Sequence, residues 1–295
     1  MIPDYGESDL DAELVFDRIL GKRDLNTLQE LLVKLAPDWS AKLRIGQSQN
    51  DQWSIPIDER DSLATSVLAS AAERGPTYHQ LVKIYGRPEC ERMVGSAELR
   101  GSGPELTVII SVDEIVISSL GDAKQLGNNI DLQIRSSRVE RRPAAAWLEQ
   151  AFKVLCEKLT PAWGYACHPE EYWAKVMGVS PSIAAIGRDF VRYLPGVFWL
   201  NYFGPRYQEK IGADRLRSAP AERVSTIGDG ILISLAQDPS EWRRSAYANT
   251  ERQVRDHLGR EQFFEKQQPA RVISMSRLQR LRNRLLPSRG NLPSA

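Results

Sequence analysis

The chain is short of the residues from which most catalytic and metal centres are built. It has three cysteines and three histidines among 295 residues. Cys90, Cys156 and Cys167 lie too far apart for a metal knuckle, and an odd number does not suit a disulfide framework. A zinc site needs three or four ligands at compatible spacing, yet besides His168 the chain offers only His79 and His257. Phosphate cradles are missing too: GSAELRGSG lacks both the Walker spacing and its lysine, and no G-x-S-x-G elbow occurs. No stretch approaches the roughly 18 apolar residues of a membrane span. The segment MIPDYGESDLDAEL has neither a basic start nor an apolar run, so no secretory signal is expected and the expected location is the cytoplasm. Net charge is also small, with 39 Lys and Arg against 38 Asp and Glu, so no global field marks nucleic acid as a partner. These absences leave no catalytic residue, metal, cofactor or small-molecule substrate to assign.

What is present is an ordinary globular composition, 42% apolar and 26% charged. Charge is unevenly placed. Asp4, Glu7, Asp9, Asp11, Glu13 and Asp17 face Arg18 alone in the first twenty residues, whereas no acid follows Glu265 and seven bases do. Helical spacing predicts a first helix capped by Ser8, with Leu10, Leu14, Ile19 and Leu20 on one face and Gly21 as its stop. A second is expected over 24–35, burying Leu28, Leu31, Leu32 and Leu35, and a third over ERDSLATSVLASAAERG. β-branched runs in ELTVIISVDEIVISSLG and NIDLQIR then predict a small antiparallel meander. RPAAAWLEQAFKVLCEKLTP follows as a helix with Trp147, Ala151, Val154, Leu155 and Leu159 on its buried side, and Cys156 as a core residue.

YLPGVFWLNYFGPRY packs six aromatic side chains into fifteen positions. From 196 to 202 both alternating sets are apolar, the pattern of a strand covered on both faces or offered on one to a partner. GPRYQEKIG reads as a short helix ending at Gly212, and ERVSTIGDGILISLA as a hairpin turning at Asp229-Gly230. Asp238, Pro239 and Glu241 open a last helix that runs to His257 and stops at Gly259. Clustered rather than alternating elements predict an α+β fold, a mostly antiparallel sheet flanked by helices. The expected organisation is a helical N-terminal region over 1–100, an α+β body over 101–265 and a basic tail over 266–295. In that tail Leu278, Leu281 and Leu285 keep a helical spacing that suits packing on the body.

CHPEEYW holds the chain's densest set of catalytic residue types. His168 with Glu170 or Glu171 suits an uncharacterised hydrolase, but the bland alternative is a surface loop with an ordinary capping carboxylate. Asp229 and Asp238 are explained locally, as turn and cap residues.

Three pieces carry a resemblance: Trp163-Gly164, LPGVFWLNYFGP and GDGILISL. Over roughly 142–264 the chain resembles bacterial polymorphic-toxin immunity proteins, in particular the immunity protein 52 group. The resemblance implies an α+β protein that neutralises a cognate protein toxin by stoichiometric binding, without chemistry of its own. Tyr202, Arg206 and Tyr207 near the strand-to-helix turn, with Trp163 and Trp242, are the partner-binding residues expected on that reading, while the strand Val197 to Tyr202 is otherwise mostly core. A structural or adaptor role in a secretion or phage-like assembly is the alternative use of the same aromatic surface.

Overall fold

A computed structural model describes residues 10–18, 20–35, 41–45, 95–101, 105–112, 128–135, 141–176 and 193–263. Nine strands form one sheet: β1 (Leu10–Phe16), β2 (Ala41–Ile45), β3 (Gly95–Gly101), β4 (Glu105–Val112), β5 (Asn128–Arg135), β6 (Trp163–Cys167), β7 (Leu200–Phe203), β8 (Arg223–Ile227) and β9 (Gly230–Ser234). Their spatial order is β2-β3-β4-β5-β1-β6-β7-β9-β8, and every neighbouring pair is antiparallel. The helices are α1 (Lys22–Leu35), α2 (Arg141–Leu159), α3 (Pro169–Val176), α4 (Pro205–Ile211), α5 (Ala213–Arg217) and α6 (Ser245–Leu258). The architecture is α+β, as the clustering of elements predicts. No helix among the described residues is long and apolar enough to cross a membrane.

The expected first helix is instead strand β1. Leu10 and Leu14 stand four apart, an interval that shares a face on a helix and on a strand alike. Alternation decides between them: Leu10, Ala12, Leu14 and Phe16 are all buried on one side, while Asp11 and Glu13 lie on the other. The strand sits mid-sheet, with Leu14 opposite Ile130 of β5 and Gly164 of β6. The N-terminal hundred residues therefore supply strands as well as α1 to the same sheet, and β3 pairs with β4 across the expected boundary at 100/101. Gly21, expected as a helix stop, precedes α1, where its N–H donates to Asp24 Oδ2 at 2.9 Å. The predicted helix over 59–75, the 115–119 run and the basic tail lie outside the described residues.

Helices cover both faces of the sheet around β1 and β6. On the Leu14 side Phe152 of α2 reaches the space above Gly164, and α1 packs on α2 through Leu25, Leu28, Leu31 and Leu32. Trp147 Nε1 donates to the carbonyl of Leu35 at 2.8 Å and ties the two helices end to end. The expected buried side of α2 is present, with Ala151, Leu155, Cys156 and Leu159 interior and Val154 partly so. On the Glu13 side, Tyr165 of β6 stacks on Tyr172 of α3 with centroids 5.3 Å apart.

The aromatic stretch is core, but its strand is shorter than its composition predicts. β7 begins at Leu200, and Val197, Phe198 and Trp199 reach it as buried irregular chain. Asn201, the polar exception, explains this. Its Oδ1 accepts from the N–H of Phe198 at 2.8 Å and its Nδ2 donates to the Phe198 carbonyl at 2.7 Å, replacing ladder partners with a side chain. The hairpin between β8 and β9 also shifts by one residue: Ile227 pairs with Gly230, so the turn is Gly228-Asp229, with Gly228 at φ 54°. Gly230 is needed for a different reason, because a Cβ there would stand 2.1 Å from the buried ring of Tyr202. Asp238 caps a 3-10 turn (Pro239–Arg243) by accepting from Ser240 N, and α6 starts only at Ser245. Gly212 and Gly259 end their helices as expected, at φ 102° and 97°.

Trp199 is 1% exposed and its Nε1 donates to the Ala236 carbonyl at 3.1 Å. Trp199→Ala is expected to lower stability by about 3–5 kcal/mol, read by denaturant unfolding. An unchanged midpoint would show the indole to be exposed.

Candidate functional site

Burial sorts the five expected partner-binding residues. Trp163, Tyr202 and Tyr207 are at most 1% exposed and belong to the core, so the partner-facing role expected of them is corrected. Their density in the sequence reflects the meeting of β6, β7 and α4: Phe203 packs edge-on against Tyr207, and Trp163 lies opposite Phe203 in register. Burial of the Tyr202 hydroxyl pushes its pKa upward, which keeps it a neutral core phenol. Arg206 remains accessible at 41% and stands 3.8 Å from Asp17, a surface ion pair of little energy. Trp242 is half-buried, its inner side packed on the core and its outer side open.

Trp242 belongs to a small built surface. The ring of His168 lies 6.2 Å from it at an interplanar angle of 29°, and the guanidinium of Arg243 sits 4.9 Å from its centroid. Arg243 in turn pairs with Glu170. A half-exposed indole packed near an imidazole and a guanidinium loses little rotamer freedom on binding, and Trp and Arg are the side chains that dominate interface energies.

The surface rests on α3, which the bland reading of CHPEEYW takes as a loop. His168 caps that helix: its carbonyl accepts from Glu171 N at 2.9 Å and Tyr172 N at 3.2 Å, while its Nδ1 accepts from Glu170 N at 3.2 Å. The two glutamates part company here. Glu170 is 57% exposed at its side chain and faces Arg243, whereas Glu171 is wholly buried. Burial of that carboxyl is the feature sequence reasoning missed.

Glu171 is held by α3, α6 and the chain before β7. Its Oε1 accepts from Lys175 Nζ at 2.6 Å and from the Tyr247 hydroxyl at 2.5 Å. Lys175 Nζ also donates to the Val197 carbonyl at 2.5 Å and pairs with Glu251 at 3.0 Å. The same ammonium lies 5.1 Å from the Phe198 ring and 5.3 Å from that of Tyr247. Desolvation pushes the Glu171 pKa up despite the pull of Lys175, and the adjacent carboxylate and burial push Tyr247 up as well. Cys167 is buried beside Glu171, and burial followed by that carboxylate holds its thiol protonated. None of these groups is both nucleophilic and accessible. His168 lies outside this network on the surface side, so the trio of His168, Glu170 and Glu171 does not form one constellation. Among the described residues no group of three or more His, Cys, Asp or Glu is placed to hold a metal ion.

No family model matches the chain, and no curated protein matches it either. Among solved structures it is similar to the Pseudomonas aeruginosa T6SS protein PA0821, at 15% identity and a TM-score of 0.49, over 94% of this chain and 81% of that one.

Lys175 Nζ is the shared donor to Glu171 Oε1, Glu251 and the Val197 carbonyl. Lys175→Met leaves these acceptors without it and is expected to lower stability by about 1–3 kcal/mol, measured by denaturant unfolding at neutral pH. Arg206→Ala, which touches only the surface pair with Asp17, is expected to stay within about 0.5 kcal/mol in the same measurement.

Proposed function

We propose that this chain is an immunity protein that silences a cognate bacterial toxin by stoichiometric binding in the cytoplasm, and that Trp242 anchors the interface. The observation that carries the reading is the half-exposed indole, with the His168 ring and the Arg243 guanidinium packed near it. An interface of this kind needs a central aromatic anchor, a charged rim and a rigid base. Arg243, Glu170 and Arg244 supply the rim, and α3 with α6 supplies the base. The 3-10 turn carrying Trp242 falls within residues 142–264, the stretch on which the immunity-protein expectation was formed from the sequence. The proposed role is one of binding; Glu171 is enclosed and the thiols of Cys156 and Cys167 are buried, so none of them is offered to a substrate.

The test is co-expression of the full chain with the product of the adjacent gene. A one-to-one complex that neutralises that product's toxicity is expected. Trp242→Ala is expected to weaken it by about 30-fold or more, the scale of losing roughly 2 kcal/mol at a hot spot, while leaving the melting temperature of the free protein unchanged. A neighbour that does not bind, or a Trp242→Ala variant that binds as tightly as the wild type, would overturn the reading.

A further inference from the structure

We propose that Glu171 is the proton carrier of a pH-operated latch between α3 and α6: its Oε2 holds a proton in the folded chain, and loss of that proton loosens the contact between the two helices. The first ground is a donor count. Lys175 Nζ has three protons and spends them on Glu171 Oε1, Glu251 and the Val197 carbonyl. Tyr247 has one and spends it on the same Oε1. Glu171 Oε2 is buried and has no hydrogen-bond partner. A buried ionised oxygen with no donor carries a charge that nothing stabilises, whereas the neutral acid leaves only an unpaired hydroxyl there, the smaller cost.

The second ground is a charge count over every element that packs on Glu171. From α3 comes Lys175, from α6 Tyr247 and Glu251, from β6 the thiol of Cys167, and behind that thiol Asp11 of β1. Tyr247 and Cys167 are neutral, so two carboxylates meet one ammonium, with a third acid further off. One proton balances the inner set. Desolvation works in the same direction and raises the Glu171 pKa from its ordinary 4.5.

The sign of the resulting pH dependence follows. Between pH 4.5 and the raised folded value, the folded chain holds a proton that the unfolded chain has released. Stability contributed by Glu171 is thus complete at the acid end of that window and declines as pH rises through it. The latch lies where the docking surface is strung. His168 and Glu170 start α3, and Trp242 and Arg243 lead directly into α6, so loosening the α3–α6 contact moves His168 from Trp242 and Glu170 from Arg243. The inference concerns the free protein and stands whether or not a toxin is its partner.

The experiment is thermal unfolding of the full chain across pH, beside infrared spectra that report protonated carboxyl groups. The wild type is expected to lose several degrees of melting temperature as pH rises above about 5, since each tenfold change in relative proton affinity moves the transition by a few degrees. Glu171→Gln, which imitates the protonated acid, is expected to abolish that decline and to match or exceed the wild type at the alkaline end. The folded wild type is also expected to show, above pH 4.5 and below the raised folded value, a protonated-carboxyl band that is absent from Glu171→Gln. Tyr247→Phe, which removes a donor to this carboxyl, is expected to shift that band, so the assignment survives even if Glu171→Gln fails to fold. Parallel melting profiles for the wild type and Glu171→Gln would overturn the proposal. So would the absence of the band, or a band that neither variant alters.

Discussion

Strand β1 is the constraint on which the rest of the sheet depends. It is bonded along both edges, to β5 on one side and β6 on the other, and so joins the β2–β5 ladder to the β6–β9 ladder. Close packing where β1 passes β6 is permitted by Gly164, where a Cβ would stand 3.0 Å from Leu14 Cδ2 and 3.1 Å from the Glu13 carbonyl. The end of the strand is secured by a relay: Ala162 N donates to Val15 O, and Gly204 N donates to Ala162 O. Gly204 has no room for a side chain, since a Cβ would lie 2.2 Å from the Pro161 carbonyl oxygen. Three strands are thereby locked at one level without any side-chain contact.

The two faces of the sheet then serve different ends. The Leu14 face is apolar and is closed by α2 with α1 behind it, a conventional use of amphipathic helices. The Glu13 face mixes polar groups into its interior. Glu13 accepts from the Tyr165 hydroxyl and from Asn129, and Tyr165 passes the stack on to Tyr172 and Phe198. Next to that stack stands the Glu171, Lys175 and Tyr247 joint. Buried polar networks of this kind hold one geometry more sharply than apolar packing does, provided that every member is satisfied. The single unsatisfied oxygen is what makes this one responsive to protons.

Local periodicity made α2, α4, the β8–β9 hairpin and the end of α6 legible, because each is set by residues within about ten positions of one another. β1 was misread because Leu10 and Leu14 obey both periods, and the deciding partners lie more than a hundred residues away. The hairpin turn slipped by one because Asp229-Gly230 is a strong turn signal, while Gly230 answers to the Tyr202 ring. At the site, aromatic density did not indicate direction, so Trp163, Tyr202 and Tyr207 were read as surface although they are core. Glu171 was illegible for a related reason. Nothing in CHPEEYW foretells that Tyr247 and Val197, distant in the chain, will enclose one glutamate and leave its neighbour Glu170 in water.

The central place of β1 also has a price in time. Leu14 precedes its β6 partner Gly164 by about 150 residues. At a synthesis rate of roughly 5–20 residues per second, β1 leaves the ribosome about 8–30 s before that partner exists. Through that interval Leu10, Leu14 and Phe16 have an apolar face and two unpaired backbone edges to conceal. The alternating acids Asp11 and Glu13 put negative charge on the opposite face of the nascent strand, and like charges repel when two such strands approach edge to edge. The same carboxylates that later sit inside the polar face thus act first as guards against premature pairing between neighbouring nascent chains.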